Sequence, residues 1–207
     1  MTSKRFCASA LAAAALLGAT NARAIDYAQL DTSSSATTVV LVHALGDSTA
    51  ERPAPLLSAT YARWSSGSAT GFGYTYRWAV AGDAHRWVVG AGVGLNDFRS
   101  RSDTNPEHET RPSARAQSEW QGPVAGGNYY VLLQASSFRG SWLATGQYAP
   151  ANLPVALELS RYHERDYQAT NIGLRIAIGV PKWYVRVGNT RADGESRPYI
   201  GIAYNGF

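Results

Sequence analysis

A chain of 207 residues suits one domain, and its single cysteine excludes a disulfide scaffold. The net charge of +4 misleads about partners, because residues 1–24 hold three of the 19 basic residues (Lys4, Arg5 and Arg23) and none of the 15 acids. The remainder carries 16 basic residues against 15 acidic ones, so nucleic acid loses its electrostatic support as a partner.

In chain order, residues 1–24 read as a cleaved signal peptide. Lys4 and Arg5 precede an apolar run over residues 6–18, and Ala22-Arg23-Ala24 has the small-x-small pattern that signal peptidase reads. The run is shorter than the about 20 residues a bilayer-spanning helix needs. Cys7 lies inside the run, away from the cleavage point, which argues against a lipid-modified N-terminus. Residues 25–207 are then the mature domain, free of cysteine.

From Gly71 onward the hydrophobic period is two, the signature of strands with unlike faces. Phe72, Tyr74, Tyr76, Trp78 and Val80 alternate with Gly73, Thr75, Arg77 and Ala79. Trp87, Val89, Ala91, Val93 and Leu95 alternate with Gly90, Gly92, Gly94 and Asn96. Val155, Leu157 and Leu159 oppose Ala156, Glu158 and Ser160, while Ile172, Leu174, Ile176 and Ile178 oppose Gly173, Arg175, Ala177 and Gly179. Trp183, Val185 and Val187 oppose Tyr184, Arg186 and Gly188. Prolines 53, 55, 123, 150, 154 and 181 stand at or beside the breaks between these runs, where a missing N–H removes no ladder bond. The runs predict about twelve strands, centred on Tyr27, Val40, Ala59, Tyr76, Ala91, Gln117, Val131, Thr145, Leu157, Leu174, Val185 and Ile202, with ten as the alternative. The longest polar stretch, residues 99–115, reads as an outer loop.

Two features turn the apolar face toward lipid. Aromatics collect at two levels: Trp78, Trp87, Trp120, Tyr129, Tyr148, Trp183 and Tyr204 at the end that holds the termini, and Trp64, Phe72, Phe98, Phe138, Trp142, Tyr162, Tyr167 and Tyr199 at the other. Rings at two levels with aliphatics between them are the girdles of a membrane barrel. The opposite face is Gly, Ala, Ser and Thr with isolated charges, which suits a lumen better than a solvated sheet. Arg77, Glu158, Arg175 and Arg186 are the polar residues expected to line it, and the last three are expected to cluster across neighbouring strands. On this reading Leu174→Arg blocks assembly, whereas Gly173→Ser is tolerated. The fold class is all-β: a transmembrane, antiparallel, up-and-down barrel.

The final stretch, Tyr199-Ile-Gly-Ile-Ala-Tyr-Asn-Gly-Phe207, resembles the last strand of bacterial outer-membrane β-barrel proteins, which end in an aromatic residue. It departs from their pattern in that Ile200, Ile202 and Tyr204 are on the other parity from Phe207. Either a bulge near Asn205-Gly206 resets the register, or Phe207 is not the assembly signal it resembles. The resemblance covers the signal peptide, the alternation and the final strand. It implies a place in the outer membrane, with membrane lipid and the barrel-assembly machinery as partners.

Chemistry is sparse. Val40-Leu-Val-His-Ala-Leu-Gly-Asp-Ser48 looks like the opening strand and loop of α/β-hydrolases, but Ala44 replaces the needed glycine and no G-x-S-x-G elbow follows. Ser160 and His163 lie near an outer strand end, as in a rim lipase or acylase, yet a separation of three points them to opposite faces. The four histidines, 43, 85, 108 and 163, have no metal-ligand spacing. Gly90, Gly92 and Gly94 precede no helix and read as room for bulky neighbours or an inward loop rather than as a phosphate loop. No catalytic residue, metal or cofactor is assigned.

The function expected is a passive pore, or the membrane part of an envelope or exopolysaccharide export system, passing a small solute or polysaccharide. The alternative is a plugged structural or receptor-like barrel whose outer loop, through Arg99, Arg101, Glu107, His108 and Glu109, binds a partner. A rim lipase is the minor alternative. Arg77, Arg115, Arg175 and Arg186 beside Glu119 and Glu158 give a lumen of mixed sign, which argues against strong ion selectivity. The mature protein is expected to fractionate with outer membranes and to migrate in a heat-modifiable way on detergent gels; recovery in the soluble periplasmic fraction would refute the membrane assignment.

Overall fold

The computed structural model describes residues 25–82, 84–100, 106–192 and 194–206. Residues 1–24, expected to be a signal peptide, lie outside them, as do Arg101 and Phe207. Twelve strands follow one another: β1 (Tyr27–Ser33), β2 (Ala36–Ala44), β3 (Ala54–Trp64), β4 (Gly67–Ala81), β5 (Arg86–Ser100), β6 (Glu107–Val124), β7 (Gly127–Ser136), β8 (Ser141–Pro150), β9 (Val155–Glu164), β10 (Tyr167–Ala177), β11 (Trp183–Ala192) and β12 (Glu195–Asn205). Each pairs antiparallel with its chain neighbours, and β1 pairs with β12 to close the barrel. All twelve sequence-derived centres fall inside the twelve strands. Between β7 and β8 the chain makes one 3₁₀ turn, Phe138–Gly140.

The period of two becomes an inside and an outside. Along β4, Phe72 is 57% exposed and Val80 49%, while Thr75 is 3% and Arg77 7%. Outward Val93, Leu95, Leu157, Leu159, Ile172 and Ile200 are all more than half exposed, which for aliphatic side chains calls for lipid rather than water. The aromatic level at the terminus-bearing end faces outward: Trp87 stacks on Trp120 with centroids 6.1 Å apart, Trp183 meets Tyr204 at 5.4 Å, and the Tyr148 hydroxyl donates to the Ala125 carbonyl at 3.0 Å.

The other aromatic level is largely not a girdle. Phe72 and Trp142 do face outward, at 57% and 38% exposure. Trp64 instead packs on Phe98 inside the barrel, and Phe98, Phe138 and Tyr199 are buried. Tyr162 also turns inward, donating to Glu164, with Tyr167 against its ring. The sequence reading grouped these residues by distance from strand ends; strand parity decides facing, and Phe98 continues the inward series Gly90, Gly92, Gly94, Asn96.

The stretch 99–115 is mostly strand. β5 runs to Ser100 and β6 starts at Glu107, with Arg99 paired to His108. Pro112 is accommodated because β6 gains its second neighbour, β7, only from Arg115 onward, so no ladder bond is lost there. Four of the six connections at the end away from the termini have two residues each, at 34–35, 65–66, 165–166 and 193–194. At the other end, Ala125 and Gly126 both take positive φ, 36° and 77°, as a two-residue primed hairpin turn requires.

Gly173 does not tolerate a side chain. A Cβ there would collide with the Tyr199 hydroxyl and approach the Val187 carbonyl at 2.9 Å, so Gly173→Ser is a damaging change. Asn171, which faces inward and donates to Ser160 at 2.9 Å, is the better inward control for Leu174. Leu174→Arg is expected to cost roughly 2–4 kcal/mol and Asn171→Ser under about 1 kcal/mol, read from urea titrations of heat-modifiable migration in lipid vesicles. Equal losses would mean that the facing is misassigned.

Candidate functional site in the barrel lumen

One side of the lumen is organised by Arg186 on β11. Its Nε donates to Glu158 Oε2 on β9 at 2.8 Å, and its Nη1 pairs with Asp31 on β1. The arginine thus reaches two strands in each direction. Registers explain how. Gly201 on β12 pairs with both Asp31 and Arg186, so no side chain separates the two charges. Glu158 is in register with Gly173, which pairs in turn with Gly188 and that with Tyr199. The two glycines make the floor on which the Tyr199 ring lies, 5.6 Å beneath the Arg186 guanidinium.

Arg175 is the register partner of Arg186, and two adjacent guanidiniums would repel. They are separated chemically by Gln147, which donates to Glu158 Oε1 at 2.9 Å and accepts from Arg175 Nη1 at 2.8 Å. Arg175 also lies 4.6 Å above the Tyr184 ring. No carboxylate among the described residues is within ion-pair range of Arg175, and its buried Nε has no protein partner.

The opposite wall repeats the device. Gly90, Gly92 and Gly94 on β5 lie between the inward side chains of β4 and β6. Arg77 on β4 comes within 3.8 Å of Glu119 on β6, and Glu119 also accepts from Gln117 at 2.7 Å and Tyr130 at 3.3 Å. Arg115 lies along the wall over Gly94 and Gly73 to donate to the Ser58 hydroxyl at 3.0 Å. That neutral hydroxyl is its only partner among the described residues.

The outer mouth is narrowed from within. The 3₁₀ turn after β7 folds inward, burying Phe138 and Arg139. Arg139 Nη1 donates to Glu107 at 2.8 Å and Glu109 at 3.3 Å, and Nη2 to Asp166 at 2.6 Å, with Glu164 at 3.8 Å. Its guanidinium sits 4.0 Å over the Phe98 ring. Burial opposes the charge, but the bonds to Glu107 and the other carboxylates outweigh it and raise the Arg139 pKa.

The residues expected to line the lumen, Arg77, Glu158, Arg175 and Arg186, are therefore all inside, the last three in one network. Asp31, Gln147 and Tyr199 complete that network and had not been anticipated. The residues expected to contact a partner divide. Glu107 and Glu109 turn inward to Arg139, whereas Arg99 and His108 stay on the outer face and donate to Asp97 at 2.9 and 2.8 Å. Thr110 donates to the same Asp97 carboxylate at 2.6 Å. Ser160 faces inward onto Asn171, while His163 faces outward and stacks on Trp142 at 5.8 Å, so they form no nucleophile–base pair. No three His, Cys, Asp or Glu side chains among the described residues are grouped to hold a metal.

No protein-family model matches the sequence, and no curated protein does. Solved structures match the fold. The KdgM porin in complex with disordered oligogalacturonate aligns with a TM-score of 0.54 at 12% identity, over 86% of this chain and 97% of that one. The Acinetobacter baumannii outer membrane protein Omp33 aligns with a TM-score of 0.50 at 7% identity, over 87% of this chain and 98% of that one. The chain thus shares the fold of these outer-membrane β-barrels.

Removing Glu158 leaves the buried Arg186 with one carboxylate and Gln147 without its acceptor. Glu158→Ala is expected to cost about 2–4 kcal/mol of barrel stability, and Ser160→Ala about 1 kcal/mol or less, by urea unfolding in vesicles. A Glu158→Ala variant as stable as Ser160→Ala would show that the network is not stabilising.

Proposed function

We propose that the protein is a passive pore of the outer membrane for small hydrophilic solutes, with a preference for anions. The observation that carries this is how the lumen's charges are spent. Between the two mouths, four arginines, 77, 115, 175 and 186, face three carboxylates, Asp31, Glu119 and Glu158. Arg186 takes two of those carboxylates for itself. Arg115 and Arg175 are left on neutral partners, and a guanidinium in a confined lumen attracts the anion it lacks. The mixed sign of the lining argues by itself against strong ion selectivity, but at mid-depth it becomes positive once pairing is counted. Oligogalacturonate, which accompanies the KdgM porin, is itself an anion, in keeping with this reading.

The other readings are less well supported. A polymer-export channel needs a wide mouth, whereas Phe138 and Arg139 occupy the outer one. A receptor needs extended outer loops, whereas four of the outer connections have two residues.

In planar bilayers under a KCl gradient, the reversal potential is expected to show chloride several-fold more permeant than potassium. Replacing Arg115 and Arg175 together with Gln is expected to bring the ratio close to unity. Absence of conductance would refute the pore, and cation preference in the unmodified protein would refute its sign.

A further inference from the structure

Another set of arginines stands outside the barrel. Thr170 on β10 pairs with Arg161 on β9 at one side and with Arg191 on β11 at the other, all three on the outward parity. Two guanidinium side chains therefore flank a hydroxyl at one level, with backbones about 10 Å apart at two strand spacings. The row below holds Leu159 and Ile172, 52% and 58% exposed, and the row below that Leu157 and Leu174, 51% and 40%. Arg161, Thr170 and Arg191 thus mark the upper edge of the aliphatic wall. A groove of about 350 Å³ opens there, lined by Arg161, Gln168, Ala169, Thr170, Arg191 and Gly194.

Among the described residues their charges are unspent. Elsewhere at this end, Arg139 meets four carboxylates, Arg99 meets Asp97, Arg111 meets Glu109 and Arg197 meets Glu195. Among the described residues no carboxylate lies within ion-pair range of Arg161 or Arg191, and Arg161 makes only a long 3.5 Å contact with the Gln168 amide oxygen. An arginine is costly at the bilayer midplane and nearly free at the interface, so this level is where a guanidinium is tolerated and headgroup phosphates begin. The planar guanidinium fork matches a phosphate with two parallel bonds, and two forks on backbones about 10 Å apart can close on one headgroup from both sides.

We propose that this groove binds the phosphate-bearing headgroup of a membrane lipid, with Arg161 and Arg191 as the clamp, Thr170 as a further donor, and the acyl chains lying along Leu159, Ile172, Leu157 and Leu174. The groove's continuity with the aliphatic wall selects a lipid over free phosphate, because only a lipid gains from both surfaces. The proposal rests on the membrane placement of the barrel but not on conductance.

The test uses the full mature protein refolded in neutral detergent and native mass spectrometry against a bis-phosphorylated glycolipid and its dephosphorylated form. Retention of one phosphorylated lipid per barrel is expected, falling at least tenfold for the dephosphorylated form and for the Arg161→Gln/Arg191→Gln variant. The Arg161→Lys/Arg191→Lys variant, which keeps charge without the fork, is expected to be intermediate. Neither substitution touches the lumen, so heat-modifiable migration and the reversal potential are expected to be unchanged, which separates a lost site from a lost fold. Equal binding by the Gln variant, equal binding of the dephosphorylated lipid, or full displacement by millimolar inorganic phosphate would each overturn the lipid clamp. Loss of conductance in the unmodified protein would overturn the pore alone.

Discussion

Lipid offers no hydrogen bonds, so each strand that crosses it needs a partner on both sides. Eleven of the twelve pairings join neighbours in the chain; the twelfth joins Tyr27–Ser33 to the far end, with Leu30 opposite Ile202 and Asp31 opposite Gly201. That closure is made three ways at once. Backbone bonds run along the seam, Ala28 and Leu30 pack with Ile202 and Tyr204 on its outer face, and Asp31 crosses Gly201 to Arg186 on its inner face. Once the seam is closed, strand parity alone assigns every remaining side chain to lipid or to lumen.

Inside a closed wall, large side chains compete for space, and glycine resolves the competition locally. Gly201 lets Asp31 and Arg186 meet, Gly173 and Gly188 receive the Tyr199 ring, and Gly73 and Gly94 let Arg115 lie along the wall. Side chains that lie along a wall reach partners two or three strands away, so electrostatics here follows reach rather than adjacency. This is why the number of charges in the lumen and the number of unneutralised charges differ, and why Arg186 acts as a strut while Arg115 and Arg175 remain open to solutes. Their roles differ through their partners, since all three are inward guanidiniums on the same kind of strand.

Strand number, strand facing and the inward position of Arg77, Glu158, Arg175 and Arg186 were legible in the sequence because a period of two is a local property. The aromatic level at the terminus-bearing end was legible too, since its rings share the aliphatic parity. Tyr199, Tyr162 and Phe98 were misplaced because nearness to a strand end was weighed before parity, although parity alone would have sent Tyr199 inward, opposite Ile200 and Ile202. Asp31 was invisible for a different reason. Its partner is 155 positions away, and nothing in β1 announces which strand will close on it. Gln147 carries no charge to mark it in the sequence, yet its amide serves both sides at once by donating to Glu158 and accepting from Arg175.

The outer mouth shows how a single unfavourable backbone angle can be held in place by charge. Arg139 sits at φ 52°, a left-handed conformation that costs a residue with a side chain about 1–2 kcal/mol. Gly140, the residue suited to that region, lies immediately after it and is itself left-handed, at φ 59°. The strain persists because the turned backbone aims the guanidinium at Glu107 and Glu109 on β6, at Glu164 and Asp166 across the β9–β10 turn, and at the Phe98 ring. Each of those partners belongs to a different hairpin from the turn itself, so the turn is tied to both neighbouring hairpins, and Arg165 N–H adds a main-chain bond to the Arg139 carbonyl at 3.0 Å. A turn anchored on both sides cannot swing outward without breaking all of these contacts together. Among the described residues, the β7–β8 connection therefore narrows the opening at this end, and twelve strands define the outer wall without defining the width of the pore.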